Sequence, residues 1–195
     1  MHQSLNKNLF LIREHFQLFS ATQNYDVFDP AAGRKIIECR EPELGILTKL
    51  LRFTDFSLFM PFRMDCRTPS GETVLSIRRG RTFLASRVKV FDEVGKPIGY
   101  FKQRLLSAGG KFEVRDRAKK KIFEVTGSLI SREYNLTRGD SGLASVTRKW
   151  DGLGKELFID ADNYVLTISD EVPKDDPVRP MLLAAVLCID MVLRK

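Results

Sequence analysis

The sequence predicts a mainly β protein in which a closed antiparallel β-barrel encloses an apolar C-terminal α-helix. Short runs in which apolar and polar residues alternate recur along the chain, and Asp, Gly or Pro turns separate them, as in antiparallel hairpins. The run from Met181 to Leu193 is apolar on every helical face, which is typical of a helix surrounded by protein. Strands with one apolar face leave no exposed edge when they close into a barrel.

The length and composition predict one domain over residues 1–195. The chain has 195 residues, of which 43% are hydrophobic and 29% charged, and no linker of low complexity divides it. Cys39, Cys66 and Cys188 lie far apart and are odd in number, which predicts free thiols in a reducing, intracellular setting. The N-terminus lacks the charged-then-apolar order of a signal peptide, so we expect a protein that is not secreted.

The N-terminal segment, residues 8–19, fits two kinds of secondary structure. Phe10, Ile12 and Phe16 occupy alternate positions, as in a strand with one buried face. Leu9, Ile12 and Phe16 also follow the spacing of one helical face. We favour the strand.

Four pairs of alternating runs predict four hairpins. They cover residues 25–36, 62–77, 88–98 and 112–125. Asp, Gly and Pro at the junctions supply the backbone conformations that tight turns require. The spacing between the hairpins is irregular, which argues against a propeller or a solenoid.

The C-terminal helix is predicted to include the apolar run from Met181 to Leu193. Asp176 is the expected N-cap, and Pro177 fits the first helical position. A membrane-spanning helix needs about 20 apolar residues. This run is shorter and Asp190 interrupts it, while a helix lying on a membrane surface would need a polar face. We therefore predict a helix in the core of the barrel.

Several segments match one protein family in their order and spacing. They are Val-Thr-Arg-Lys-Trp-Asp-Gly at 146–152, Phe-Ile-Asp-Ala-Asp-Asn-Tyr-Val at 158–165 and the apolar run at 182–191, preceded by Pro-Phe at 61–62 and Pro-Ile-Gly-Tyr at 97–100. Together they resemble the phospholipid scramblases and LURP-one-related proteins of the tubby-like superfamily. This resemblance implies a tubby-like closed barrel of about twelve strands around a central hydrophobic helix.

The resemblance also implies a calcium-binding segment at residues 160–171. An EF-hand-like loop places oxygen ligands at positions 1, 3, 5, 9 and 12 and glycine at position 6. Asp160, Asp162 and Glu171 occupy positions 1, 3 and 12, but Tyr, Val and Ile stand at positions 5, 6 and 9. We favour a hairpin turn at 160–163 followed by a strand. If calcium is a cofactor, Asp160 and Asp162 are its predicted ligands.

The net charge of +7 favours anionic partners, and two basic clusters are the predicted site for anionic lipid. Each cation near an anionic membrane contributes about 1 kcal/mol. The alternative for such charge runs is a solvated turn. The first cluster contains Arg78, Arg79 and Arg81, and the second, at a predicted hairpin tip, contains Arg115, Arg117, Lys119, Lys120 and Lys121.

Motifs for catalysis are absent from the sequence. It contains no phosphate-binding P-loop, no dinucleotide fingerprint and no zinc-protease motif, so we expect no enzyme. The leading hypothesis is a scramblase-like module, cytoplasmic or peripherally membrane-associated, that binds an anionic phospholipid, a phosphoinositide or a protein partner at or near membranes. One alternative is a calcium-dependent phospholipid scramblase that moves lipid in both directions. Another is a nucleic-acid or transcription-linked binding protein, which only the net charge supports.

Overall fold

The described part of the chain forms a closed β-barrel around one α-helix. The structure is a computed structural model, and it describes residues 1–15, 23–42, 61–80, 87–103, 112–128, 131, 133–148 and 163–193. In these ranges twelve antiparallel strands close into a barrel. This is the tubby-like architecture, so the predicted fold class is confirmed.

The strands follow one another around the barrel in chain order, and the first pairs with the last. After β12 the chain enters the barrel as the helix α1 (Arg179–Leu193). The strands are β1 (Leu9–His15), β2 (Asn24–Asp29), β3 (Arg34–Arg40), β4 (Phe62–Arg67), β5 (Thr73–Arg79), β6 (Arg87–Phe91), β7 (Pro97–Gln103), β8 (Phe112–Asp116), β9 (Lys121–Ser128), β10 (Glu133–Arg138), β11 (Ser141–Thr147) and β12 (Asn163–Ile168).

All four predicted hairpins are present, as β2–β3, β4–β5, β6–β7 and β8–β9. The ambiguous N-terminal segment is the strand β1 over residues 9–15, and residues 16–19 lie outside the described ranges. Successive side chains along a strand point alternately towards the central helix and towards the outside. On β6, for example, Val88 and Val90 are buried, whereas Arg87 and Lys89 are exposed.

The helix α1 lies in the barrel interior, as its apolar composition predicted. Every side chain from Met181 to Ile189 is at most 3% exposed. The helix begins at Arg179, two residues later than the cap at Asp176 implied, because Pro177 and Val178 form a turn. Asp176 supports this turn: its Oδ1 accepts a hydrogen bond from the backbone N–H of Val178 at 2.8 Å. The described part of the chain contains no helix with the length and hydrophobicity of a membrane span.

A buried guanidinium fixes the start of the helix to the N-terminal segment. The side chain of Arg179 is fully buried. Its nitrogen atoms donate five hydrogen bonds of 2.7–3.2 Å, to the backbone carbonyls of Leu5, Lys7, Val172 and Pro173 and to Oδ1 of Asn8. These bonds satisfy a charge that would otherwise be costly to bury.

A buried carboxylate anchors the other half of the helix. Asp190 is 1% exposed and accepts hydrogen bonds from the hydroxyls of Tyr25 and Tyr164, each at 2.5 Å. Burial, together with the nearby charge of Asp190, raises the pKa of Tyr25 well above its ordinary value. The phenol therefore stays protonated and donates, which explains the polar residue inside the apolar run.

The three cysteines lie in the barrel interior as free thiols, as predicted. Cys39 and Cys66 stand directly opposite each other on β3 and β4. Burial raises the pKa of Cys66 and Cys188, so these thiols stay protonated. They act as small apolar core residues.

Candidate functional site

Five cationic side chains and one tyrosine line up across six neighbouring strands on the outer wall of the barrel. Their positions face outward because the residues between them along each strand, such as Val88 and Val90, face the helix. The register places them directly opposite one another from β4 to β9. We name this set the cationic row, and it contains Arg63, Arg78, Lys89, Tyr100, Arg115 and Lys121.

The centre of the row, on β5 to β7, carries four exposed cations, which we name the cationic patch. Arg78 and Lys89 stand opposite each other within the row. Arg87 and Lys102 stand opposite each other beside it. Among the described residues, the ion pairs of this wall involve other cations and none of these four. The four cations of the patch therefore form no ion pair within the described part of the chain.

Two guanidinium groups of the patch lie over aromatic rings. Cζ of Arg78 is 4.7 Å from the ring centre of Phe91, and Cζ of Arg87 is 5.2 Å from that of Tyr100. Such contacts orient a cation without neutralising its charge. The aromatic rings therefore hold two of the four cations of the patch, Arg78 and Arg87, in position on the wall.

Carboxylates neutralise the row towards both of its ends. Nitrogen and oxygen atoms lie 2.6–2.9 Å apart in the ion pairs Arg63–Asp65, Arg115–Glu113 and Lys121–Glu124. The hydrogen bond with Glu113 raises the pKa of Arg115. The uncompensated charge is thus concentrated on β5, β6 and β7.

The first predicted basic cluster does not stay together in the structure. Arg78 belongs to the cationic patch. Arg79 is only 6% exposed, and its guanidinium lies 4.9 Å from the ring centre of Phe62. Its prediction as a lipid-binding residue is therefore corrected, because strand alternation turns it away from the outer wall. Arg81 lies outside the described residues.

The second predicted cluster is divided between the row and a turn. Arg115 and Lys121 belong to the row, where each pairs with a carboxylate. Nη1 of Arg115 also donates to the backbone carbonyl of Lys119 at 2.7 Å. The exposed turn between β8 and β9 carries Arg117, Lys119 and Lys120. These three cations belong to the turn and not to the wall of β5 to β7.

The predicted calcium ligands Asp160 and Asp162 lie outside the described residues, so calcium binding stays a prediction. The strand β12 begins at Asn163 and occupies positions 4 to 9 of the twelve-residue segment. Extended backbone at these positions does not wrap around an ion as an EF-hand loop does. The Asn163 amide is 4% exposed, and its Nδ2 and Oδ1 have no hydrogen-bond partner in the described part.

Sequence reasoning missed four cations of this wall: Arg63, Arg87, Lys89 and Lys102. They stand singly along the chain and form no local charge run. Alternation within the predicted hairpins could have placed Arg63 and Lys89 on the outer face. Only the register across strands brings them together.

The wall formed by β1 to β3 is balanced in charge and contrasts with the patch. The buried carboxylate of Asp26 lies 2.7 Å from Nε2 of His15, 2.5 Å from Nη2 of Arg40 and 3.4 Å from Nζ of Lys35. Lys35 also pairs with Glu38. Lys35 and Arg40 on this wall are thus engaged by neighbouring carboxylates and offer little charge to an external anion.

Comparison with known proteins identifies relatives over most of the chain. The model of the Scramblase family matches residues 7–193. The yeast (Saccharomyces cerevisiae) protein named Altered inheritance rate of mitochondria protein 25 is 25% identical over 199 residues, covering 88% of this chain and 60% of the yeast protein. A protein of Arabidopsis thaliana with an X-ray structure has a TM-score of 0.58 and 17% identity, covering 99% of this chain and 97% of its own. The latter similarity concerns the fold.

Proposed function

The chain belongs to the scramblase family, and we propose that it is a scramblase-like module that binds anionic phospholipid at a membrane surface. In this proposal the module acts by binding and not by catalysis. The matched region covers nearly the whole barrel and its central helix. The chain spans about 60% of the yeast relative, so the activity of that whole protein is a separate question.

The cationic patch is the observation that supports this proposal most directly. Like charges that stand directly opposite on neighbouring strands destabilise a sheet. Arg78 faces Lys89 and Arg87 faces Lys102, and no carboxylate of the described part forms an ion pair with them. An anionic surface would relieve this repulsion. At about 1 kcal/mol for each cation, four cations supply about 4 kcal/mol, which corresponds to weak and reversible binding.

Lipid fits the patch better than nucleic acid does. Proteins that bind single-stranded nucleic acid offer open aromatic faces on which bases stack. Here the guanidinium groups of Arg78 and Arg87 lie over the rings of Phe91 and Tyr100. A phosphate or carboxylate group can still reach the cations, because charge recognition does not require the ring faces.

Flotation with vesicles tests the proposal. Vesicles of neutral phosphatidylcholine with increasing fractions of phosphatidylserine should carry increasing amounts of the protein at low salt. Binding should fall at high salt, because exposed charges are screened over a shorter distance. Failure to bind phosphatidylserine-rich vesicles at low salt would overturn the proposal.

Calcium-dependent movement of lipid between leaflets is the second candidate function, and membership of the scramblase family favours it. In this candidate, Asp160 and Asp162 bind the calcium ion. A leaflet-exchange assay on protein reconstituted into vesicles, with and without calcium, tests it. Calcium should accelerate exchange above the rate of protein-free vesicles. Equal rates in the two samples would exclude this function.

A further inference from the structure

We infer that the barrel meets the membrane side-on, through the wall of β5 to β7, and responds to surface charge density and not to one particular headgroup. This inference rests on the proposed function, which requires only that anionic lipid is bound. It adds the orientation of the barrel and the chemical class of the surface. Three features of the described residues lead to it.

The curvature of the barrel limits which strands can touch a flat surface. Neighbouring strands lie about 4.8 Å apart, so the three strands of the patch span about 10 Å. The neutralised pairs of the row lie on β4, β8 and β9, on both sides of the patch. The strands β5 to β7, whose cations in the patch form no ion pair in the described part, are therefore narrow enough together to touch one flat membrane surface.

The end of the barrel that bears the described hairpin turns is mixed in charge and offers no uniform cationic surface. Antiparallel order places the N-terminal segment, the turns after β2, β4, β6, β8 and β10 and the segment 169–178 at this end. Two of its cations are engaged, because the N-terminal ammonium pairs with Glu93 and Lys7 pairs with Asp29. Between the strands, the carboxylates are Glu72, Asp92, Glu93, Asp140, Asp170, Glu171, Asp175 and Asp176, and the other cations are Lys96, Arg117, Lys119, Lys120 and Lys174. An anionic surface would therefore meet carboxylates among the cations at this end.

Within the described residues, no residue of the patch lines any of the three open cavities, whose volumes are about 400 to 690 Å³. Their linings come from the N-terminal segment, β1 to β4, the turns after β2 and β4 and the segment after β12. Selective sites enclose their ligand and direct several polar groups at it, whereas an open wall of cations senses charge alone.

Matched charge reversals test the orientation. The double variant Lys89→Glu with Lys102→Glu alters the patch, and Arg117→Glu with Lys120→Glu makes the same change in charge at the exposed turn after β8. Side-on docking predicts that the patch variant loses about tenfold or more in partition to phosphatidylserine vesicles, and that the turn variant loses less than about threefold. Circular dichroism and thermal unfolding verify that both variants are folded. An equal or larger loss in the turn variant would overturn side-on docking.

Charge-matched vesicles test the response to charge density. One set contains phosphatidylserine and the other contains a phosphoinositide at a lower fraction that gives the same total charge. We expect partition coefficients that agree within about threefold. The contribution of each cation, about 1 kcal/mol, depends on the surface potential, and the two sets are matched in total charge. A much stronger preference for one headgroup would contradict the inference while leaving the proposed function intact. Failure to bind either set would overturn both.

Discussion

Single charged residues in this barrel are stabilised in distinct ways, depending on where strand alternation places them. Asp190 is buried on the central helix, where its carboxylate accepts hydrogen bonds from the hydroxyls of two tyrosines. Asp26 is buried on the outer wall and is satisfied by cations. Both have lost most of their contact with water, so each depends on its partners for solvation. Substitutions at these two positions therefore have different expected consequences.

Replacing Asp190 with alanine should destabilise the fold strongly. The hydroxyls of Tyr25 and Tyr164 would lose their acceptor while still buried, and a small cavity would form. We expect a loss of about 3 kcal/mol in the free energy of unfolding, measured by urea denaturation. Tyr25→Phe removes one donor together with its hydroxyl, and should cost about 1 kcal/mol. If Asp190→Ala costs no more than Tyr25→Phe, the anchoring role of Asp190 is wrong.

The contribution of Asp26 should depend on pH. Burial alone would raise the pKa of Asp26, but the hydrogen bonds from Arg40 and His15 outweigh it and hold the pKa below its usual value. A lowered folded-state pKa contributes stability above the unfolded value of about 3.9, and this contribution is lost as the pH falls towards the folded-state pKa. Asp26→Asn should therefore destabilise the protein at neutral pH, and by less below about pH 4.

Chemical denaturation of both proteins at neutral and acidic pH measures this difference. The neighbouring charged groups Lys35, Arg40, Glu38 and His15 are present in both proteins, which differ only in the side chain at position 26. A difference in unfolding free energy that stays constant across the pH range would contradict the lowered pKa of Asp26.

At the scale of strands and hairpins, the sequence predicts the elements well and their register poorly. The alternation of Val88 and Val90 with charged residues is sufficient to identify β6 as a strand with one buried face. It does not reveal that Lys89 faces Tyr100, because a β-bulge between Val90 and Phe91 shifts the pairing of β6 with β7. The cationic patch depends on this pairing.

The burial of Arg79 could have been predicted from the sequence. Ile77 is a buried residue of β5, and a strand turns every second residue to the same side. Arg78 and Arg79 therefore had to face opposite sides, although a charge run suggests one exposed group. The partners of the buried Asp190 were less accessible to prediction, since Tyr25 and Tyr164 are distant in sequence.

Close packing between β9 and β10 makes Gly127 sensitive to substitution. A Cβ atom there would lie 2.2 Å from the carbonyl oxygen of Glu133 and 2.8 Å from Cα of Tyr134, and these backbone atoms cannot yield without moving the strand. Gly127→Ala should lower the unfolding free energy by about 2 kcal/mol or more, which thermal unfolding would detect. Gly142→Ala on β11 is the control, since its Cβ would meet no atom within 4 Å. Similar unfolding temperatures for the two variants would contradict this packing.

At the scale of the whole molecule, the barrel separates its charges by direction. The interior is apolar except for satisfied groups such as Arg179 and Asp190. The wall of β1 to β3 is balanced, the described end is mixed in charge, and the wall of β5 to β7 is cationic. The net charge of +7 therefore does not show which side of the barrel attracts an anionic membrane.

This separation predicts that removing a flanking carboxylate should strengthen binding to anionic vesicles. Glu113 pairs with Arg115 and stands opposite Lys102 of the patch. Glu113→Gln would release one cation and extend the unpaired charge to β8. At about 1 kcal/mol for a cation near the surface, partition into phosphatidylserine vesicles should rise about fivefold.

The control for this gain is a carboxylate that lies far from the patch. Glu72, whose side chain is 65% exposed on the turn after β4, undergoes the same loss of charge in Glu72→Gln. A response to overall net charge would strengthen binding equally in both variants, because each raises the net charge by one. A response to the local charge of one wall strengthens it mainly in Glu113→Gln, because exposed charges farther away than a Debye length of about 10 Å are largely screened. Equal gains at moderate salt would show that the membrane is attracted to the whole molecule and not to the wall of β5 to β7.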